Sequence, residues 1–413
     1  MSARTLYVTS DGLLQPLGHS QVVRVIEKLA KCGHPYDVLS LERPDDLARG
    51  DAVAKVQSQL SSAGISWSAH AYDVRGGGKA AFHNIATLSR LVVSACRGSR
   101  YSLVHARSYH GGLAAQAAFR LTRTPYIFDA RAYWIDERYE EGRWFTHPVA
   151  LSAARAAEHR LFSDAAAVVC LTEIQADDIR LGRFGDNGGR PVVAIPTCAD
   201  FGDFTLERRK SLPGRVAPDV WKRVRGKKVL GFVGSINKSY RMEESARVAV
   251  RAAELDPSLH VLALSGQRAG YEALFASAGL SPDRYTIARA DHDAMPDWVA
   301  LLTWGILLLE ASPAKRGSMP TKLAEFFASG VRALHYGGNA EIASWVRRAA
   351  SGYVMTSLDA RALDAAAQFI ATSTVDADAL AKARAIAEPH FGLSQGVARY
   401  AQLLHSLFSN LKK

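Results

Sequence analysis

The sequence predicts an α/β protein made of two doubly wound domains in series. Short apolar runs alternate with helix-period segments almost from end to end, the pattern that parallel sheets covered by helices on both faces produce. The alternation breaks once, in a polar and proline-containing stretch, and then restarts. At 413 residues the chain exceeds what one hydrophobic core usually organises, so that break is where a domain boundary is expected.

In the first domain, residues 1–205, strands are expected over 5–10, 36–41, 65–72, 102–106, 126–129, 166–171 and 192–195, with helices between them. In the first helix Val22, Val23, Ile26, Leu29 and Ala30 share one face. Ser20 stands where a cap is needed, and Gly33 where a left-handed stop is. Residues 206–227 read as a linker. The second domain, residues 228–391, repeats the pattern with strands over 229–233, 260–264, 285–288, 305–310, 332–335 and 353–355, and helices such as 242–254 and 322–329. Open sheets bind ligands beyond the carboxyl ends of their strands, so function is expected in loops lining a cleft between the domains.

Hydrophobic residues make up 48% of the chain and charged residues 22%. The longest apolar run, residues 299–309, is broken by Thr303, Trp304 and Gly305, too short to span a bilayer. The first residues lead straight into a strand pattern, so no leader is expected and cytoplasmic residence follows. Cys32, Cys96, Cys170 and Cys198 lie far apart without a paired spacing, which argues against a zinc site or a disulfide framework. The net charge of +11 attracts anions. Basic residues are spread rather than clustered, and no nucleic-acid-binding signature accompanies them, so a phosphorylated small molecule or an anionic lipid surface fits better than nucleic acid. The densest basic run, residues 221–228, reads as a solvated linker.

Two segments carry the chemistry. After the strand at 229–233 come Gly234, Ser235, Ile236, Asn237, Lys238, Ser239, Tyr240 and Arg241, then a helix. A small residue lets backbone approach a ligand, the helix start offers free N–H groups, and Lys238 with Arg241 adds charge, which together suit a diphosphate. An ordinary strand-to-helix loop with exposed basic residues has the same composition. The second segment is Ser318-Met319-Pro320-Thr321-Lys322, running on through Glu325 to Gly330. Pro320 can open a helix and Gly330 can close it. Lys322 and Glu325, three apart, form either a solvated pair or a phosphate contact and a carboxylate able to accept from vicinal ribose hydroxyls.

With these segments on view, the chain resembles the retaining glycosyltransferases of the GT-B fold, specifically family four. The resemblance is carried by the amino-terminal glycine loop and the helix ending in Cys32-Gly33-His34. It continues through residues 103–107, residues 195–201, the loop at Gly234 and the Pro-Thr-Lys-x-x-Glu-x-x-Ala-x-Gly segment. It implies two Rossmann-like domains facing each other across a cleft, the first binding acceptor and the second binding a nucleotide diphosphate sugar. Lys238, Arg241 and Lys322 would neutralise the diphosphate, and Glu325 would hold the ribose. Gly18 would approach the diphosphate from the first domain, and the last helix, 392–413, would pack back onto that domain.

The chain departs from the family at Gly317, where many members carry an earlier glutamate; Ser318, Pro320 and Lys322 match a branch with Ser-x-Pro-x-Lys there. In the first domain Arg131 stands where many members have a histidine, flanked by Asp129, Asp136 and Glu137. Trp134 or Tyr133 could stack a sugar ring, and Asp129 or Asp136 could bond its hydroxyls, with His110 a further acceptor-site candidate. An Arg131–Asp136 ion pair bracing the loop is the alternative. His105 and His19 read as satisfied structural residues as readily as site residues.

The resemblance implies departure of the nucleotide diphosphate with same-face attack by an acceptor hydroxyl, Lys238, Arg241 and Lys322 taking the place of a metal. Asp291-His292-Asp293 has metal-pair spacing, but it lies where the family has a helix entry. No cofactor or metal is expected. The partners expected are a nucleotide sugar and a saccharide or lipid-linked acceptor, as in polysaccharide or glycolipid synthesis, with peripheral association at an anionic inner membrane face. Two other classes share the fold: a sugar-nucleotide epimerase, which needs paired carboxylates, and a catalytically silent partner protein.

Overall fold

The computed structural model describes residues 4–98, 100–142, 144–374 and 376–411. Residues 1–3 and 412–413, the ends of the expected domains, lie outside the described residues. The chain forms two compact units, residues 1–196 with 396–413, and residues 197–395.

The first unit is built on β1 (Arg4–Thr9), β2 (Tyr36–Glu42), β3 (Ser66–Ala71), β4 (Tyr101–Arg107), β5 (Tyr126–Ala130), β6 (Ala167–Cys170) and β7 (Val192–Ala194). They pair in parallel in the order β3-β2-β1-β4-β5-β6-β7. β2 and β5 are enclosed throughout, including the polar side chains of Asp37, Ser40 and Glu42 in β2. Helices α1 (Arg24–Lys31), α2 (Gly77–Arg97), α3 (Ser108–Thr122), α4 (Trp134–Glu140) and α5 (Pro148–Asp164) follow the strands. The core gathers Val8, Leu41, Leu88, Val104, Phe128 and Phe162.

The entry to the first helix differs from expectation. It opens with Pro16–Gly18, passes through a π-helical turn at His19–Val23 and becomes regular only in α1. Ser20 therefore sits inside the π turn, where its hydroxyl donates to the Leu17 carbonyl at 3.3 Å instead of capping. Gly33, with φ of +86°, supplies the left-handed residue just past the helix end.

The second unit holds β8 (Lys228–Val233), β9 (Leu259–Leu264), β10 (Tyr285–Ala288), β11 (Trp304–Leu308), β12 (Arg332–Tyr336) and β13 (Gly352–Val354). They lie parallel in the order β10-β9-β8-β11-β12-β13. Among its helices are α6 (Met242–Leu255), α7 (Thr321–Ser329) and α8 (Ala340–Arg348). The last helix, α9 (Leu393–Leu411), starts in this unit and runs into residues assigned to the first. The stretch expected as a linker, 206–227, is structured. It carries a 3₁₀ turn at Glu207–Ser211 and a helix at Pro218–Val224. Arg208 pairs with Asp297 at 2.6 Å, and Arg209 donates to the Ala300 carbonyl at 3.1 Å. Arg208 and Arg209 are thus spent on this unit's own backbone and carboxylates.

Strand order reverses between β1 and β4 in one sheet and between β8 and β11 in the other. Those switch points are where such sheets open to ligands.

Candidate functional site

In the second unit the reversal between β8 and β11 brings the two sequence-predicted segments together. Gly234 follows β8 with φ of +105°, a conformation only glycine adopts without strain, and its carbonyl accepts from the Tyr271 hydroxyl at 3.0 Å. The loop then runs along the end of β11. Asn237 accepts from the Ser239 N–H (2.9 Å), the Glu310 N–H donates to Ser239 O (2.9 Å), and the Arg241 N–H donates to Leu308 O (2.9 Å). Ser235, Asn237 and Lys238 stay exposed on the loop.

Lys322 comes to the same place from α7. Its ammonium donates to the Val233 carbonyl at 2.6 Å and lies 4.0 Å from the centre of the Tyr240 ring. A side chain at Gly234 would meet that ammonium at 3.7 Å. The Lys322 and Tyr240 side chains also line a small, solvent-open pocket with Ser235, Ser245 and Tyr271 among its walls. Pro320 occupies the position before α7 rather than its first turn, Thr321 is the first helical residue, and Gly330, φ +67°, ends it.

Glu325 lies one turn beyond Lys322. Burial raises its carboxyl to about 7, against the opposing pull of Lys322. Arg241 is already engaged, with Glu310 and with Glu244, both at 2.9 Å. The hydrogen bond to Glu310 leads the causes that raise its pKa.

Two functional candidates here escaped the sequence reading. Tyr240, named in the loop, was given no role. Asn339, fully buried, caps α8 by accepting from the Glu341 and Ile342 N–H groups (3.0 and 3.1 Å). Its amide nitrogen donates to the carbonyls of Lys315 (3.3 Å), Arg316 (3.1 Å) and Ser318. The loop carrying Ser318 into Lys322 is thereby held from below, and Thr197 adds a bond to the Met319 carbonyl at 2.9 Å. An asparagine before a helix signals a cap; nothing in sequence signals its second grip.

In the first unit the expected acceptor residues separate into two groups. Asp129 is fully enclosed and Arg131 nearly so, with side-chain exposures of 0% and 13%; they pair at 2.6 Å. Tyr400 of α9 closes the group, accepting from Arg131 at 2.9 Å and donating to Asp129 at 3.2 Å. His105 stands 3.5 Å from Asp129 and 3.2 Å from the Tyr36 hydroxyl. Burial would raise the Asp129 carboxyl, but Arg131, His105 and Arg107 outweigh it and hold the group well below the usual carboxylate range. The expectation that Asp129 and Arg131 face an acceptor is corrected: each neutralises the other, enclosed at the carboxyl end of β5. The alternative Arg131–Asp136 pair does not form either, because Asp136 is bonded by Arg155 at 3.2 Å.

His110 and Trp134 are brought together, ring centres 5.9 Å apart, and Trp134 also stacks on Tyr109 at 5.4 Å. His110 Nδ1 meets the Ser10 hydroxyl at 3.2 Å, while its Nε2 is buried without a partner. Burial lowers its pKa, so it is neutral near pH 7. Beside it Asp11 accepts from Arg107 at 2.7 Å, a pair the sequence reading missed. Gly18 has a local reason to be glycine, since any side chain there would collide with the Gly12 carbonyl. His19 is spent on Gln59 at 3.1 Å. Among the described residues no group of three or more metal-ligating side chains could hold an ion, and the side chain of His292 lies outside them.

Residues 18–197 match the family described as glycosyl transferase 4-like domain. No curated protein matches the chain. Among solved structures, sucrose-phosphate synthase of Thermosynechococcus elongatus is similar over 99% of this chain and 100% of its own, with TM-score 0.69 and 15% identity. Anabaena HepE in complex with UDP-glucose is similar over 98% and 99%, with TM-score 0.66 and 15% identity. A Listeria monocytogenes protein described as a UDP-N-acetylglucosamine 2-epimerase is similar over 99% and 98%, with TM-score 0.62 and 9% identity. These likenesses establish the GT-B fold with its two Rossmann-like domains. The match over residues 18–197 shows that this part of the chain is similar to a glycosyl transferase 4-like domain.

Proposed function

We propose that this protein is a retaining, metal-independent transferase that moves a sugar from a nucleotide diphosphate sugar to a saccharide or lipid-linked acceptor. The observation that carries the donor site is the convergence of Lys322, Gly234 and Tyr240 at the second sheet's switch point. In the free protein Lys322 donates to a backbone carbonyl; a diphosphate offers a stronger acceptor within the reach of the same side chain. Lys238, exposed on the facing loop, adds a second cation, and Arg241 a third if it exchanges Glu310 for phosphate. These charges stabilise the departing diphosphate, the work a metal ion does in other transferases. Glu325 accepts from the ribose hydroxyls, and that bonding favours its ionised form. HepE binds UDP-glucose by its description, which makes uridine the first base to test.

The acceptor reading rests on His110 with Trp134, an aromatic face beside an imidazole nitrogen that has no partner. A lipid-linked acceptor fits peripheral association with the inner membrane face in polysaccharide or glycolipid synthesis. No helix among the described residues is long and apolar enough to cross a membrane. The test is a thermal-shift series with uridine, guanosine, adenosine and thymidine diphosphates and their sugar conjugates. One base should raise the melting temperature selectively in chelator, and Lys322→Ala should abolish the rise. A rise that needs manganese would refute metal independence. Similarity to the epimerase-like structure keeps a second reading; conversion of the sugar nucleotide to an epimer without acceptor would select it.

A further inference from the structure

Residues 74–128 contain no aspartate or glutamate, while Arg75, Lys79, Arg90, Arg97, Arg100, Arg107, Arg120 and Arg123 all fall within them. Several of these are neutralised by carboxylates from outside the stretch. Arg75 pairs with Asp73 at 2.6 Å, Arg100 with Asp37 at 2.7 Å, Arg107 with Asp11 at 2.7 Å and Arg120 with Asp164 at 3.1 Å. Lys79, Arg90 and Arg97 are different: among the described residues no carboxylate pairs with them, and all three are exposed.

Those three lie on α2. The helix buries Ala80, Ala81, Leu88, Val92, Val93 and Cys96 on one side. At about 100° per residue, Lys79, His83, Arg90 and Arg97 fall within roughly 40° of one another on the opposite side. They make a straight line about 27 Å long at a 1.5 Å rise per residue. Phe82 flanks the line with 74% of its surface exposed, and Val74, in the turn that precedes α2, is 57% exposed. The exposed Phe82 ring and the basic line thus share the outward-facing side of one helix.

We propose that this face of α2 docks the protein on a bilayer containing anionic lipids. Lys79, Arg90 and Arg97 meet headgroup phosphates and carboxylates, and Phe82 with Val74 enters the interfacial layer. Charge complementarity supplies the attraction, and the exposed apolar pair selects a lipid surface over a nucleic acid or an acidic protein. The proposal names the surface for the peripheral association put forward above. It does not depend on the donor site, which belongs to the other unit.

The full chain is sedimented with vesicles of phosphatidylcholine alone or with 30 mol% phosphatidylserine, at low and high salt. Binding is expected only with the anionic lipid and is expected to weaken as salt rises. At about fivefold per basic residue, Lys79→Gln/Arg90→Gln/Arg97→Gln lowers the partition coefficient roughly 100-fold. Phe82→Ser lowers it several-fold while leaving the salt dependence unchanged. Thermal melting and the nucleotide-induced shift serve as folding controls, and neither variant should move them. Equal binding to neutral vesicles, retention of binding by the triple variant, or binding to single-stranded nucleic acid but not to vesicles would overturn the proposal. If the triple variant misfolds, Phe82→Ser and the salt series decide alone.

Discussion

Glu325 offers the most exacting test of the donor site because one side chain governs two measurements with opposite pH trends. Its carboxyl is raised by burial from the ordinary 4.5 to about 7. The folded form thus holds a proton that the unfolded chain releases, so stability from this group is full below about pH 4.5 and is lost as pH rises to about 7. At 1.36 kcal/mol per pKa unit, the ionised form costs about 3 kcal/mol in the free protein. Glu325→Gln removes that cost. At pH 8 the variant should therefore outlast wild type in chemical denaturation by up to about 3 kcal/mol, and at pH 4.5 the two should converge. The same substitution should weaken nucleotide binding. A charged acceptor for ribose hydroxyls contributes about 1.5–3 kcal/mol, so affinity should fall about 10- to 100-fold at pH 8. Wild-type affinity should itself rise from pH 5.5 to 7.5, with a proton released on binding in calorimetry. Equal affinity of variant and wild type at pH 8, or parallel stability curves from pH 5 to pH 8, would refute the assignment.

Lys322→Ala should raise the KM for donor at least 10-fold and lower kcat as well, because the leaving diphosphate carries its full charge only in the transition state; steady-state kinetics reads both. Asn339→Asp keeps an acceptor for the α8 cap but turns a carboxylate oxygen on the carbonyls of Lys315, Arg316 and Ser318. Donor affinity should drop about 10-fold or more with little loss of melting temperature, whereas Asn339→Ala should lose both. Gly18→Ala forces a methyl against the Gly12 carbonyl and should cost the first unit about 2 kcal/mol or more in denaturant melts.

The fold was legible because its strands are buried on both faces. The expected strand at 285–288 coincides with β10, and that at 36–41 with β2 to within one residue. Gly33 and Gly330 announced helix ends through the left-handed backbone only glycine takes easily. The helix entry at Pro16 was misplaced because a π-helical turn adds a residue that a 3.6 period does not register. At the donor site the local pieces could be read, since Gly234 and Lys322 sit at the ends of elements whose order puts them side by side. Around Asp129 the reading went astray for a physical reason. A charged residue at a strand end looks solvent-facing unless its partner is known, and Tyr400 and His105 come from elements distant in sequence. The 206–227 stretch misled likewise, its arginines being matched by Asp297 and the Ala300 carbonyl far downstream.

That buried group at Asp129 has a consequence for how the protein is made. Residues 1–196 hold Asp129, Arg131 and His105, but Tyr400 arrives with residues 396–413, the last part of the first unit to be synthesised. While the ribosome translates the whole second unit at about 5–20 residues per second, the first waits with an ion pair short of its hydroxyl partner and an unfilled slot for α9. A fragment ending near residue 196 would stay in that state permanently. The segment recognisable by sequence as a domain, residues 18–197, thus lacks both β1 and the Tyr400 hydroxyl that closes this group.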